Sequence, residues 1–262
     1  MEVSLKNKNA IVCGSTQGMG KATALQFAAS GANVTLIARN EQSLREVLRE
    51  LSASKEQKHN FIVADFSEPE SLRTKINNFV SENPPVHILV NNTGGPKSGE
   101  AYKAGTDEYL KAFNMHLICN QIMVQAVVEG MKKEKYGRII NIISTSVKQP
   151  IKGLGVSNTI RWAVASWAKT ISRELAPFGI TVNNILPGAT KTQRIYSLFE
   201  SRAKETGKSK EQIEKEWLEE IPSGRFGEPE ELAYAAAFLA SPLAGYINGI
   251  NLPADGGRLQ SL

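Results

Sequence analysis

Short runs of apolar and β-branched residues alternate with longer amphipathic stretches along the chain, and this alternation most constrains its fold. The runs are nearly continuous in apolar character, which is typical of strands buried on both faces of a sheet. We predict strands at 10–13, 33–38, 61–64, 86–90, 138–143 and 180–185, and helices at 21–30, 42–51, 70–80, 106–133 and 159–176. Such an alternation predicts an α/β fold, in which helices cover both faces of a doubly wound parallel sheet.

The chain has 262 residues, a length that suits one large α/β domain. No linker, repeat or low-complexity segment divides it, so we predict a single domain over residues 1–262. One insertion, residues 193–220, has the pattern of one or two charged helices and follows the last predicted strand. It is either a solvated surface excursion or a substrate lid. Its position favours the lid, because ligands of such sheets bind beyond the carboxyl ends of the strands.

Charge and composition argue against several classes of partner. The net charge is +5, but Lys and Arg are scattered and the densest charged segment, 200–220, mixes both signs, so we expect no nucleic-acid partner. No apolar stretch approaches the roughly 18 residues of a membrane span, and the first residues lack the apolar core of a signal peptide. Two cysteines, Cys13 and Cys119, fit a reducing compartment. We therefore expect a soluble cytoplasmic protein, and we predict no metal site.

A glycine-rich turn stands between the first predicted strand and the first predicted helix. A turn this tight requires glycine, and the free N–H groups at a helix N-terminus suit a pyrophosphate. In this position between strand and helix, the turn indicates a dinucleotide site. The residues of the turn that we expect to contact the dinucleotide are Gly14, Ser15, Gln17, Gly18, Met19 and Gly20.

Three residues separate the first two glycines of this turn, and with that spacing the chain resembles the short-chain dehydrogenase/reductase family. Further matches follow in order: Asn-Asn-Thr-Gly at 91–94, Pro-Gly-Ala-Thr-Lys-Thr at 187–192, the segment 222–231 and Asp-Gly-Gly at 255–257. The resemblance implies a Rossmann-type fold. It also implies further cofactor contacts, at Asp65, Asn92, Gly94, Arg161, Pro187, Gly188, Thr190 and Thr192.

The end of the second predicted strand bears on the choice of cofactor. An acidic residue there would bind the ribose 2′-hydroxyl of NAD(H) and repel a 2′-phosphate. This chain has Arg39 instead, whose planar guanidinium suits a phosphate. The other interpretation is a solvated loop arginine. We predict NADP(H) as the cofactor rather than NAD(H).

In the family that this chain resembles, an Asn, a Ser, a Tyr and a Lys cooperate in catalysis. Ser144 matches the family's Ser after the fifth predicted strand. Ser157 stands where the Tyr is expected, Arg161 where the Lys is expected, and His116 where the Asn is expected. Pro187 is at the expected distance downstream, which makes an insertion or deletion a poor explanation. The resemblance thus implies an active site with one of its four residues retained.

These replacements change the expected proton chemistry. A serine hydroxyl lies close to the backbone and is a much weaker acid than a phenol, so Ser157 is expected to act only through a water. Arg161 keeps the positive charge of a lysine in a planar group. His116 is either a proton donor through water or a histidine packed between helices. Tyr196 in the insertion is either a replacement phenol or a surface residue. The polar loop 145–149 is either a carbonyl pocket or an ordinary loop end.

Two functions remain open from the sequence. The first is an NADP(H)-dependent oxidoreductase that acts on a carbonyl or alcohol substrate by a modified proton path, with a 3-oxoacyl-like substrate as one option. The second is a nucleotide-binding pseudoenzyme or regulatory protein that has lost catalysis. The retained Ser144 and glycine turn favour the enzyme and a small-molecule substrate. The resemblance also implies a homo-oligomer, a tetramer or dimer, with interfaces at the helices 106–133 and 159–176 and at the C-terminal strand region 248–253.

Overall fold

The computed structural model describes residues 2–51 and 56–261. Its strands are β1 (Asn9–Cys13), β2 (Asn33–Ala38), β3 (Asn60–Val63), β4 (Ile88–Asn91), β5 (Gly137–Ile142), β6 (Ile180–Pro187) and β7 (Asn251–Ala254). Within the described ranges these form one seven-stranded sheet in the order β3-β2-β1-β4-β5-β6-β7, and every pairing is parallel. The strand order reverses between β1 and β4, and ligands of doubly wound sheets bind at such a switch point. The predicted doubly wound parallel sheet is confirmed.

Helices cover both faces of this sheet. They are α1 (Gly18–Ala29), α2 (Glu41–Glu50), α3 (Pro69–Glu82), α4 (Thr106–Phe113), α5 (Cys119–Glu134), α6 (Gly155–Leu175), α7 (Gln193–Thr206), α8 (Lys210–Glu219) and α9 (Pro229–Ala240). Side chains of successive strand residues point to opposite faces. Accordingly, Val12 packs in the core under α1, α2 and α9, and Ile11 packs in the core under α3, α5 and α6. In the part of the chain that the structure describes, no helix is long and apolar enough to cross a membrane.

Two helical regions differ from the sequence predictions. The stretch 106–133 was expected as one helix, but a π-helical turn at Asn114–Ile118 interrupts it between α4 and α5. Such turns widen the helix by one residue and frequently mark functional sites. Helix α9 was not predicted, because its alanine-rich sequence is nearly apolar all round and gives little amphipathic period. It packs against α1 and completes the core on that face.

The insertion predicted at 193–220 forms the two helices α7 and α8. Their inner faces contribute to a small apolar cluster that is separate from the main cores and is built around Phe199. The ring of Phe199 packs edge-on against Trp217 at 5.4 Å between centroids and is tilted against Phe226 at 5.7 Å. Exposed ion pairs such as Lys210–Glu200 cover the outside. The insertion is therefore anchored by its own core rather than only solvated.

Candidate active site

A cavity of about 530 Å³ opens beyond the carboxyl ends of the parallel strands, where the strand order reverses. The loops after β1, β2, β3, β4, β5 and β6 contribute to its walls, together with α6, the start of α7 and Trp217 of α8. Most of the predicted site residues line it: Gly14, Gln17, Gly18, Met19, Arg39, Asp65, Asn92, Gly94, Ser144, Ser157, Arg161, Pro187, Gly188, Thr190 and Thr192. The fold thus collects residues that lie up to 178 positions apart in the chain (Gly14 to Thr192).

The glycine turn is held in place by the loop that follows β4. The side-chain amide of Asn92 donates hydrogen bonds to the carbonyls of Cys13 (3.2 Å) and Gly14 (3.3 Å). Gly14 has φ +58°, and a Cβ there would lie 2.6 Å from the carbonyl oxygen of Asn92. Only glycine allows the two loops to approach this closely. Asn92 is therefore a residue that shapes the turn as well as a cavity wall.

The N-terminus of α1 faces the cavity with its backbone N–H groups unoccupied by a cap. Its N-cap residue, Gln17, is extended and makes no side-chain cap hydrogen bond, and the first turn carries no acidic residue. A helix end of this kind attracts anions through its free N–H groups and its dipole. Two predicted contacts lie behind the cavity wall: Ser15 is buried with its hydroxyl directed to the carbonyl of Ile37 at 3.4 Å, and Gly20 packs against Gly14.

One end of the cavity carries Arg39 after β2 and Asp65 after β3. A carboxylate oxygen of Asp65 accepts hydrogen bonds from both the backbone N–H and the hydroxyl of Ser67, each at 2.8 Å. The bond from the Ser67 backbone is the main cause that lowers the pKa of Asp65, and the charges of Arg39 and Lys111 act in the same direction. Asp65 is thus a fixed, ionised acceptor beside an exposed guanidinium.

Ser144 lies two residues after the end of β5 and caps a short 3₁₀ turn at Thr145–Val147. Its Oγ accepts a hydrogen bond from the backbone N–H of Ser146 at 3.0 Å. A hydroxyl that accepts in this way retains its own hydrogen as a donor. Of the polar loop 145–149, Thr145 lines the cavity, whereas Ser146, which accepts from Trp162 through its carbonyl at 2.9 Å, lies behind it.

Ser157 and Arg161 lie one turn apart on α6 and both line the cavity. They are buried, with 7% and 8% of their surfaces exposed. The Nη1 of Arg161 donates to the carbonyl of Ile142 at 3.2 Å. Burial, with a contribution from the charge of Arg194, lowers the pKa of Arg161 to about 10. The guanidinium therefore keeps its charge at neutral pH.

His116 lies on the π-helical turn, is 2% exposed and reaches the cavity only through another residue. Its Nδ1 is 2.7 Å from the hydroxyl oxygen of Thr93, which does line the cavity. Its Nε2 is buried and has no hydrogen-bond partner among residues 2–51 and 56–261. Burial, then the charges of Arg161 and Arg194, lower the pKa of His116 well below its usual range. The imidazole is therefore neutral at pH 7.

Arg194 is a site residue that the sequence reasoning missed. It lies in the first turn of α7, lines the cavity, and donates from Nη2 to the carbonyl of Pro96 at 2.6 Å. Burial lowers its pKa. Its position two residues after Thr192, at a helix start that follows the predicted cofactor contacts at 187–192, was the available signal. Thr93 was missed too, although it lies inside the motif 91–94.

Tyr196, considered as a replacement phenol, lies outside the cavity wall. Its side chain is 47% exposed and its ring packs edge-on against Phe199, with the centroids 6.2 Å apart. The segment after β6 also lines the cavity. There a Cβ on Gly188 would lie 2.6 Å from the Cα of Asp255, so this segment is packed tightly against the C-terminal loop.

The chain is similar to several proteins that are described as reductases. A family profile described as enoyl-(acyl carrier protein) reductase matches residues 14–258. The 3-oxoacyl-(acyl-carrier-protein) reductase of Chlamydia trachomatis is 31% identical over 253 residues, which are 97% of this chain and 98% of that protein. The NADPH-dependent reductase BacG of Bacillus subtilis is 29% identical over 259 residues, 98% of this chain and all of that protein (100%). The crystal structure of L-sorbose reductase from Gluconobacter frateurii, complexed with NADPH and L-sorbose, superposes with a TM-score of 0.92 at 28% identity, covering 100% of both chains.

Proposed function

The chain belongs to the short-chain dehydrogenase/reductase family, and from this premise we propose that it is an NADP(H)-dependent oxidoreductase that interconverts a carbonyl and an alcohol. The observation that carries the proposal is the cavity itself. The glycine turn, the hydroxyl of Ser144 and the charged side chain of Arg161 all line this one cavity at the switch point of the sheet. The relatives described as NADPH-dependent or NADPH-bound support the same conclusion.

The cavity fits a dinucleotide by its own features. The uncapped N-terminus of α1 suits a pyrophosphate, and a Cβ built on Gly94 would meet no atom within 4 Å, which leaves open space against the backbone. Arg39 suits a 2′-phosphate and Asp65 the adenosine end, so we propose NADP(H) over NAD(H). When bound, such a cofactor supplies or accepts the hydride. The residues that would hold it are those that line this part of the cavity: Gly14, Gln17, Gly18, Met19, Arg39, Asp65, Asn92, Gly94, Pro187, Gly188, Thr190 and Thr192.

We propose that Ser144 and Arg161 handle the charge that develops on the substrate oxygen. The hydroxyl of Ser144, whose lone pair is used by Ser146, donates its hydrogen to the carbonyl oxygen. Arg161, still protonated at neutral pH, stabilises the oxyanion electrostatically in a buried environment. On the proposed alignment, Ser157 and Arg161 occupy the positions of the family's Tyr and Lys. A water between Ser157 and the substrate then takes the place of the phenol.

The pair Thr93–His116 offers a route for the proton. A neutral imidazole accepts at one nitrogen and donates at the other, so it can relay a proton without holding one. Its Nδ1 already contacts the hydroxyl of Thr93, which lines the cavity. We propose that the hydroxyl of Thr93 passes its proton toward the substrate and recovers one from Nδ1 of His116, while Nε2 of the same ring takes up a proton from a water in turn.

The experiment that tests the oxidoreductase assignment follows NADPH oxidation with a panel of diketones, quinones and 3-oxoacyl thioesters. We expect Ser144→Ala to lower kcat by about 100-fold or more, the range for losing an oxyanion donor. Ser157→Ala is expected to lower kcat much less, because a water can fill the space that the hydroxyl leaves. The matched control is Ser166→Ala, since Ser166 is exposed on the same helix α6 as Ser157, and its kcat should equal that of the wild type. Tight NADPH binding without oxidation on any carbonyl would instead assign a binding protein.

The role of His116 has its own test. The variant His116→Asn retains a polar side chain near Thr93 but cannot pass a proton between two ring nitrogens. We expect its profile of kcat against pH to differ from that of the wild type, whereas the affinity for NADPH stays the same. An unchanged profile removes His116 from the proton path and leaves it as a packed histidine.

We propose that the segment 193–220, which forms α7 and α8, acts as a substrate lid. Gln193, Arg194, Ser197 and Leu198 of α7 and Trp217 of α8 line the cavity, so a ligand there touches the lid directly. Binding of a ligand in the cavity should change the fluorescence of Trp217. This change is measured as the difference between the ligand-induced signals of the wild type and of Trp217→Phe. Equal ligand-induced changes in both proteins would argue against a lid.

Assembly and location complete the proposal. We propose a homo-oligomer, a dimer or tetramer, because large apolar side chains such as Leu110 on α4 and Trp162 on α6 are 66% and 50% exposed. Sedimentation at micromolar concentration tests this, and a monomer there would refute it. We also propose a reducing, cytoplasmic location, since Cys13 and Cys119 are both free thiols. Secretion of the chain in its native cells would contradict that location.

A further inference from the structure

Two arginine side chains share the inner part of the cavity. Arg161 on α6 and Arg194 in the first turn of α7 both line it. Each donates to a backbone carbonyl, that of Ile142 at 3.2 Å and that of Pro96 at 2.6 Å. In residues 2–51 and 56–261, no carboxylate forms an ion pair with either guanidinium. The two positive charges thus face the cavity without a protein counter-charge.

This arrangement is costly in the absence of an anion, above all at Arg161, which is buried, whereas Arg194 is half-buried. A charge removed from water is normally paired, because its lost hydration is otherwise uncompensated. The two charges also oppose each other, since that of Arg194 adds to burial in lowering the pKa of Arg161. A guanidinium has five N–H donors, so one bond to a carbonyl leaves most of them for a ligand. Both observations point to an anionic group that binds here.

The position of the two arginines separates this anion from the phosphates of the proposed cofactor. Arg161 bonds to Ile142 at the end of β5, and Arg194 follows β6, so both lie on the side of the sheet where Ser144 follows β5. Arg39 follows β2 on the other side of the switch point, and the N-terminus of α1 is the proposed pyrophosphate site. Among the other arginines of the cavity wall, Arg258 is already paired with Glu220. The uncompensated charge is therefore on the substrate side.

We propose that the substrate is an oxo acid, or the corresponding hydroxy acid, whose carboxylate binds Arg194 in the field of Arg161 while its carbonyl oxygen faces Ser144. The proposal rests on the oxidoreductase function proposed above. The planar fork of an arginine matches a carboxylate with two parallel hydrogen bonds, which suits Arg194 to this task. In the reaction the carbonyl carbon gains a hydride from reduced nicotinamide, the oxygen gains one proton, and the carboxylate remains unchanged.

The test compares each of several oxo acids with its uncharged methyl ester: pyruvate, phenylpyruvate, acetoacetate and levulinate. In the wild type we expect kcat/KM to favour the acid over its ester. In Arg194→Gln we expect kcat/KM for the acid to fall about 10- to 100-fold, the usual loss for a charge-assisted pair, while that for the ester stays within about twofold. Arg194→Lys, which keeps the charge but not the fork, should lie between the two.

The matched control is Arg202→Gln, which removes the same charge from the same helix. Arg202 pairs with Glu205 at 3.1 Å and does not line the cavity, so its acid preference should equal that of the wild type. A thermal melt of each variant establishes that it is folded. Equal loss of acid preference in Arg202→Gln and Arg194→Gln would mean a diffuse effect of helix charge and would overturn the proposal.

Binding measurements separate the remaining outcomes. If Arg194→Gln weakens NADPH binding and leaves the acid-to-ester ratio unchanged, the anion is a cofactor phosphate and the proposal is wrong. If no carbonyl is reduced at all, calorimetric titration of the NADPH complex with levulinate and its methyl ester still decides the point. Acid-selective binding that Arg194→Gln abolishes would support the carboxylate site although the proposed activity has failed. Reduction of neutral ketones without acid preference would refute the site and leave the activity intact.

Discussion

Replacing Gly20 by alanine tests whether the turn between β1 and α1 is as tightly packed as the geometry requires. A Cβ at this position would lie 2.1 Å from the carbonyl oxygen of Gly14 and 2.7 Å from Nδ2 of Asn92. Ordinary van der Waals contact begins at about 3.4 Å, so the first separation must grow by about 1.3 Å. Neither neighbour can yield easily, because the Asn92 amide is itself bonded to Gly14. The start of α1 must therefore shift away from the turn.

The size of the effect follows from two opposing contributions. Overpacking of this severity costs about 3 kcal/mol, at the upper end of the usual range. Alanine in a helix gains about 1 kcal/mol over glycine, which leaves a net loss of about 2 kcal/mol. For a chain of this size each kcal/mol moves Tm by about 2–4 °C, so Tm should fall by about 4–8 °C. NADPH affinity should fall as well, since the helix N-terminus moves with the turn.

Two further glycines provide matched controls. At Gly94 and at Gly99 a Cβ would meet no atom within 4 Å. Gly94 lines the cavity and Gly99 does not. We expect Gly94→Ala to keep the wild-type Tm and to weaken NADPH binding by about 10-fold or more through a clash with the ligand. Gly99→Ala should change neither quantity.

The assay is a thermal melt of all three variants together with a titration of NADPH by its fluorescence. The reasoning about the turn is refuted if Gly20→Ala melts within about 1 °C of the wild type, well inside the shift that 2 kcal/mol implies. The proposed placement of the cofactor is refuted separately if Gly94→Ala binds NADPH as tightly as Gly99→Ala does.

Three other predictions follow from the charges and thiols of the chain. Arg39→Ser should raise the Kd for NADPH about 10-fold or more and leave that for NADH within about twofold, measured by fluorescence titration; equal changes would contradict NADP(H) selectivity. Burial lowers the pKa of His116 below 6.5, so the unfolded state binds a proton at this residue more readily than the folded state does. As the pH drops below about 6.5, the free energy of unfolding should decrease by up to about 1.4 kcal/mol per pH unit. Urea melts should show a shallower fall in His116→Asn, with the remainder from His87, whose pKa burial also lowers. Burial raises the pKa of both thiols, that of Cys119 to about 12, so iodoacetamide should modify Cys13 and Cys119 only in urea, and rapid labelling of the native protein would contradict this.

The strands were predictable because a strand buried on both faces shows as a continuous apolar run, as at Asn33–Ala38. The break at Asn114–Ile118 was not, since one extra residue in a turn barely disturbs the apolar period of the helices on either side. Helix α9 escaped prediction for the opposite reason, as its apolar residues surround most of the helix. Patterns thus predict strands with a continuous apolar run and helices with one apolar face, and they fail at an irregular turn and at a helix that is apolar nearly all round.

The residues of the candidate site also differ in how far the sequence predicts them. Residues in the turn 14–20 could be predicted, because the chemistry depends on a local backbone shape. The contact between Thr93 and His116 joins residues 23 positions apart, and it depends on the π-helical turn that the sequence did not predict. Arg194 has a neighbouring motif at 187–192 as its sequence signal, but its place at the cavity wall follows from where α7 starts. A motif thus indicates the region of a site, whereas tertiary contacts decide which of its side chains face the cavity.

The proposed proton path and the proposed substrate both start from a buried positive charge that has no phenol one turn away. Arg161 carries this charge on α6, and Ser157 stands one turn before it. In the proposed mechanism, the oxyanion of the substrate compensates this buried charge during reaction. The second charge, at Arg194, exceeds what one transient oxyanion requires, and a carboxylate on the substrate accounts for the difference.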